Sequence, residues 1–208
     1  MRYSITTTTQ PEGLPLTLPS MKNFLRITGN TEDELITDFI AQATDMAQLY
    51  LRRSLITRSL TLTLDGVPRN NSPWWDGVRE MAISELTSYS NAIILPYPPA
   101  IAITSVTSYS TSDTSAVLAS SNYFLDTAGG RLCLASGGQW PTDVRDQKAI
   151  EILYTAGYGT APEHIPQGIL AGLRMLTAHL YNNRDCAEIP DNAKSAFDAY
   201  RIMDSLGF

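Results

Sequence analysis

The sequence is poor in several residue types on which common activities depend. It has two cysteines, Cys133 and Cys186, too few for a disulfide framework, and they read as buried free thiols of a reducing compartment. It has two histidines, His164 and His179, and neither has a second ligand at metal-binding spacing, so no zinc site is expected. Charged residues make up only 17% of the chain, with a net charge of −6. A nucleic-acid binder draws most of its affinity from phosphate neutralisation by a basic patch. The best basic cluster here, Arg52, Arg53 and Arg58, reads instead as a helix end where cations offset the dipole. No apolar run is long enough to span a membrane. Met1 to Gln10 lacks the apolar core of a signal peptide. Gly-rich phosphate loops and the Gly-x-Ser-x-Gly elbow are missing as well.

What fills the chain is a 43% hydrophobic content and, roughly, one Ser or Thr in every five residues. Over 208 residues that supports one domain, or two small ones sharing a core. Residues 1–16, with a Thr run and then Pro11, Gly13 and Pro15, read as an extended arm. A short helix is expected over 18–28, capped by Thr17 and ended by Gly29. Apolar residues from Leu35 to Leu51 recur at helical spacing and predict a long helix over 31–53. Thr31 and Glu34 there form an apparent capping box.

From Arg58 the period changes to two. Leu60, Leu62 and Leu64 alternate with Ser59, Thr61 and Thr63, which predicts a half-buried strand. Residues 67–92 read as a β excursion containing the pair Trp74-Trp75, with a helical turn through Val78, Met81, Ala82 and Glu85 as the alternative. Further strands are expected at 93–95, 103–109, 117–118, 123–125, 131–134 and 149–154. Helical spacing returns after Pro166, running to about Asn183. A last helix is expected over 191–206, opened by Pro190-Asp191. The segregation of helices and strands argues an α+β fold. It has a helical core, formed by the long N-terminal helix and the C-terminal helices over 17–57 and 160–208. A small antiparallel β module, 58–159, is inserted into it.

No catalytic, cofactor-binding or metal-binding residues can be nominated. Glu32, Asp33 and Glu34 are explained by helix electrostatics, and Asp143, Arg145, Asp146 and Lys148 by a charged loop. The candidate residues are aromatic and point to interfaces: Trp74, Trp75 and Trp140 in the β module, and Phe197, Tyr200 and Phe208 in the C-terminal arm. An enzyme using Asp and Ser side chains is a rival reading that no motif supports. A glycan-binding module is another, raised by the Ser/Thr-rich β region and its tryptophans.

An ordered series of segments adds to this. Pro15-Leu16-Thr17 leads to Phe24-Leu25-Arg26-Ile27, then Glu32-Asp33-Glu34-Leu35-Ile36 and Leu60-Thr61-Leu62-Thr63-Leu64-Asp65. Trp74-Trp75-Asp76-Gly77, Leu95-Pro96-Tyr97-Pro98-Pro99 and Ile103-Thr104-Ser105-Val106 follow. Gln139-Trp140-Pro141, Tyr154-Thr155-Ala156-Gly157-Tyr158-Gly159 and His179-Leu180-Tyr181-Asn182-Asn183-Arg184 complete it. In this order the chain resembles the head–tail connector, or adaptor, family of tailed bacteriophages, from which 191–208 departs by its length. The resemblance implies a structural virion protein, not an enzyme and without cofactors. It would be made in the bacterial cytoplasm and placed at the virion neck. Its partners would be further copies in a ring, a dodecamer by the family pattern, with the portal above and a stopper or tail-completion protein below. Double-stranded DNA would pass through without specific binding, and no membrane would be involved. A stopper or other tail-completion ring is the alternative within the same class. The acidic balance suits a channel wall that repels phosphate, and the terminal arms suit contacts that order on assembly.

Overall fold

The computed structural model describes residues 3–67, 92–184 and 188–202. The fold is α+β. The chain forms two compact units, one holding residues 10–58 and 157–202 and the other the remaining described residues.

The helical unit contains α1 (Leu18–Leu25), α2 (Asp33–Leu51), α3 (Gln167–Asn182) and α4 (Asp191–Asp198). Thr17 caps α1 as its sequence suggests, accepting from the Ser20 backbone N–H at 3.4 Å. The helix stops earlier than Gly29. Arg26 takes the left-handed conformation at φ 58°, and the Ile27 N–H donates to the Lys22 carbonyl at 3.0 Å, which closes the turn. The expected Thr31–Glu34 capping box does not form. Glu32 takes the N-cap position and makes no side-chain cap bond. Two of the three carboxylates at this end are engaged with other elements. Asp33 pairs with Lys22 at 2.6 Å, and Glu32 accepts from the Tyr181 hydroxyl at 2.6 Å. Ile36, Ile40, Ala43, Ala47 and Leu51 of α2 are buried with Ile169, Leu173, Leu176 and Leu180 of α3, the faces their helical spacing predicts.

Residues 10–16 are not a free arm, since Leu16 is buried in this core and Leu14 packs against it. The C-terminal segment, to residue 202, is also held by the chain's own helical core. Helix α4 ends at Asp198, well short of the expected 206. Gly168 and Gly172 lie one turn apart on α3. A Cβ at Gly172 would collide with the Phe197 ring, and one at Gly168 with the Tyr200 ring. The two glycines therefore open a groove that takes both aromatics. The Tyr50 hydroxyl donates to Asp198 at 2.6 Å, Arg53 Nε donates to the Tyr200 carbonyl at 2.6 Å, and the Ile202 N–H donates to the Leu51 carbonyl at 3.2 Å.

The second unit carries two sheets. The five-stranded sheet has β1 (Tyr3–Thr9), β2 (Arg58–Leu64), β4 (Ala100–Tyr109), β5 (Ser115–Val117) and β8 (Ile150–Ala156), in the order β1-β2-β8-β4-β5. The three-stranded sheet has β3 (Ala92–Ile94), β6 (Tyr123–Asp126) and β7 (Arg131–Leu134), in the order β3-β7-β6. Residues 3–9, expected as an arm, are a strand: β1 pairs antiparallel with β2 from Tyr3↔Leu64 to Thr9↔Ser59. β-branched threonines fit an extended, pleated backbone, and this favours the strand. The predicted alternation in β2 holds, with Leu60, Leu62 and Leu64 buried. They share one core with Ile150, Ile152 and Tyr154 of β8, Val106 of β4, and Ile93, Leu132 and Leu134 of the smaller sheet. The Tyr154 hydroxyl, deep in this core, donates to the Pro96 carbonyl at 2.6 Å. The expected excursion over 67–92 lies, from residue 68 to 91, outside the described residues.

Candidate assembly surfaces

Of the six aromatic candidates, Trp74, Trp75 and Phe208 lie outside the described residues. Trp140 is buried in the core of the β unit, and its indole N–H has no acceptor among the described residues. It serves as core packing rather than as an exposed anchor. Phe197 is fully buried, and Tyr200 packs, partly buried, against the same helical core. Both fasten the C-terminal segment to α3, so Phe197 is closed to a neighbour in this conformation.

The histidines have local structural roles. The His164 ring covers Gly159, where a Cβ would meet it, and His179 lies 3.3 Å from the Asn183 side-chain amide. Among the described residues no group of His, Cys, Asp and Glu could hold a metal ion. The charged loop is fixed by its own contacts. Arg145 pairs with Asp113 at 3.0 Å and stacks over Tyr109 at 4.2 Å, while Asp143 accepts from the Thr111 hydroxyl at 2.8 Å. Of the basic cluster, Arg53 is bonded to Tyr200 as above, and Arg58 Nε donates to the Ser54 hydroxyl at 3.0 Å.

Sheet register locates an apolar surface that composition could not show. Ala92 faces Cys133 and Ile94 faces Arg131 across β3 and β7. Phe124 faces Cys133 and Asp126 faces Arg131 across β6 and β7. Directly opposed residues point to one side of a sheet. The buried Ile93 and Leu132 point to the core side, so Ala92, Ile94, Cys133 and Phe124 share the outer face. Phe124 is 53% exposed and Ile94 42%. The Arg131–Asp126 pair, at 2.8 Å, bounds this face. Asp126 also accepts from the Gly129 N–H at 2.9 Å. That backbone bond first, then the Arg131 hydrogen bond, holds its carboxyl below the ordinary value. Partial burial raises the Cys133 thiol, which keeps it neutral and unreactive. The face is thus an apolar strip beside a self-neutralised ion pair.

The exposed side of α2 has a different character. Glu34, Asp38, Gln42 and Asp45 are all exposed, at spacings of three and four that place them on one stripe. No cation falls on that stripe until Arg52. Leu49, 68% exposed, ends it.

The phage gp6-like head-tail connector protein family matches residues 15–116. Solved structures share the fold over nearly the whole length. A chain from the neck of an empty gene transfer agent (GTA) particle, computed with C6 symmetry, superposes with a TM-score of 0.74. It is 19% identical, covering 99% of this chain and 98% of that one. A chain of the native GTA virion gives 0.73 at 19% identity, covering 98% of each. A chain of the native GTA neck, computed with C12 symmetry, gives 0.70 at 19% identity over 99% of this chain and 98% of that one. No curated protein matches the sequence. At this identity the structural likeness is one of fold, and the sequence itself, through residues 15–116, is similar to the phage gp6-like head-tail connector protein family.

Proposed function

We propose that this protein is a head–tail connector, one subunit of a ring at the particle neck. The ring binds beneath the portal, prolongs the DNA channel, and offers the platform on which a stopper or tail is built. The observation that carries the reading is the family match over residues 15–116. The fold shared with neck chains of GTA particles supports it. A β unit whose outer face carries an apolar strip beside a self-neutralised ion pair suits a part that must adhere to other proteins. The role is structural and no catalytic step belongs to it.

The α2 stripe of Glu34, Asp38, Gln42 and Asp45 is the natural channel-facing surface. DNA carries one negative charge per about 1.7 Å of axis. A wall of carboxylates repels it over roughly a Debye length, about 8 Å at physiological salt, and so leaves the genome free to move. A channel lined by Arg and Lys would overturn this assignment. The helical unit also separates this reading from a stopper, for which a mainly β ring is expected.

The test is a nonsense mutation at an early codon of the gene, followed by electron microscopy of the lysate. Filled or leaking heads lying apart from free tails are the expected result. Complete tailed particles that fail to infect would refute the connector role.

A further inference from the structure

The five-stranded sheet has two open ends. At one end β1 is held only through β2, and among the described residues no strand covers its far side. At the other end β5 is held, among the described residues, only through β4. Long open edges are normally blunted by charge, proline or a covering element, because they pair with other chains. From Ser4 to Thr9 of β1, and along β5, no such protection is found among the described residues. β1 reads Tyr-Ser-Ile-Thr-Thr-Thr-Thr and β5 reads Ser-Ala-Val, with no charged residue and no proline in either. All but Ile5 in β1, and all of β5, are exposed. Val117 of β5 is 71% exposed, and Ile101, on the adjoining open stretch of β4, 46%. Register shifts at Ile101 and Thr104 disturb that stretch of β4, which leaves β5 as the part of this edge able to take a regular ladder.

We infer that β1 of one copy adds to β5 of the next, so that the sheet continues from subunit to subunit. The inference rests on the ring reading above. The occupant is a second copy for two reasons. A closed ring of identical subunits needs two different, mutually complementary surfaces on each subunit, and one sheet with two unlike open ends supplies both. Each copy also carries a net charge of −6, so copies repel except where they meet through uncharged segments, and both edges are uncharged. A different partner would use one edge and leave the other open.

The experiment places cysteines at Thr6 and Val117. Thr6 is opposite Thr61 and Val117 opposite Thr107, so both lie on the sheet side away from the core. With strands about 4.8 Å apart, the two edges of one copy are separated by roughly 19 Å, four strand spacings. A short bis-maleimide that tolerates a register shift of one or two residues cannot bridge them within a subunit. In a full-length Cys133→Ala, Cys186→Ala background, the Thr6→Cys/Val117→Cys chain is cross-linked in purified solution and in necks of complemented particles. Assembly is followed in parallel by native mass spectrometry and electron microscopy. The expected result is a ladder of covalent multimers from the double variant and none from either single variant. Thr6→Lys, which places a charge on the open edge, is expected to keep the fold and weaken assembly at least tenfold. Dimers from Thr6→Cys alone would show β1–β1 pairing and overturn the inference. Rings that assemble without cross-linking would overturn the edge pairing while leaving the ring intact. A chain that forms no ring in solution or in particles would remove both.

Discussion

Single residues carry much of the local definition of this protein, and Asp126 is the clearest case. Its two oxygens hold the turn between β6 and β7, one accepting from Gly129 and the other from Arg131. Both contacts favour the ionised form, so its pKa lies below the ordinary 3.8. A depressed carboxyl contributes stability that is present above the unfolded-state value and lost as pH falls through the folded value. Asp126→Asn keeps the shape but not the charge. It is expected to lower the thermal midpoint at neutral pH, and the gap to the wild type should close only below about pH 3.8. Midpoints measured across an acid series check this. A gap that already closed near pH 5 would mean that a different carboxylate governs the acid limb. Tyr50 has the opposite sense: its hydrogen bond to Asp198, foremost, raises its pKa. The stability linked to it is therefore complete below about pH 10 and falls as pH rises through the folded value. Tyr50→Phe should lessen the alkaline decline in the same series of midpoints, to which Tyr109, Tyr158 and Tyr181, raised as well, also contribute.

At the scale of elements, α3 and the C-terminal segment meet through two glycines and two aromatic rings. Gly172→Ala gains helix propensity of up to about 1 kcal/mol but drives a methyl into the Phe197 ring, and overpacking costs about 1–3 kcal/mol. A net loss is expected by chemical denaturation. Phe197→Ala alone should cost about 3–5 kcal/mol. In that background Gly172→Ala should become neutral or stabilising, because the ring it strikes is gone. If the two losses simply add, the groove is not what seats the segment. This contact explains why Phe197 and Tyr200 looked like interface anchors in the sequence. Aromatics on a short amphipathic helix advertise burial, but not whether the covering surface belongs to the same chain. Period was legible where a single face is buried, as in α2 and β2. The Thr run was misread because hydroxyl-rich strands exposed on both faces show no alternation of polarity. The Thr31–Glu34 capping box failed because the helix starts at Asp33 with Glu32 as its N-cap, which leaves Thr31 before the cap and Glu34 at the second helical position instead of the third. The apolar outer face of β3, β6 and β7 was hidden because Ile94, Cys133 and Phe124 come from three separate strands and adjoin only through register.

For the whole molecule, charge and assembly oppose each other. A subunit at −6 brought beside identical copies meets a repulsion that salt screens, with a Debye length falling from about 30 Å at 0.01 M to about 8 Å at 0.15 M. The contacts proposed to hold copies together, uncharged strand edges and an apolar sheet face, gain nothing from low salt. Self-assembly is therefore expected to strengthen as ionic strength rises over that range, the reverse of a complex held by ion pairs. Sedimentation of the purified chain at a fixed concentration, across a salt series, measures this directly. The same charge predicts how the assembled protein treats DNA. Binding driven by phosphate contacts weakens steeply with salt, so any affinity would be greatest in dilute buffer. A duplex mixed with the assembled protein at the lowest salt that still supports assembly should migrate unretarded. Assembly that dissolved with added salt would place ion pairs at the subunit boundary and remove the argument for uncharged edges. Retardation of DNA under these conditions would require a basic surface turned toward the genome, and would displace the Glu34, Asp38 and Asp45 stripe from the channel wall.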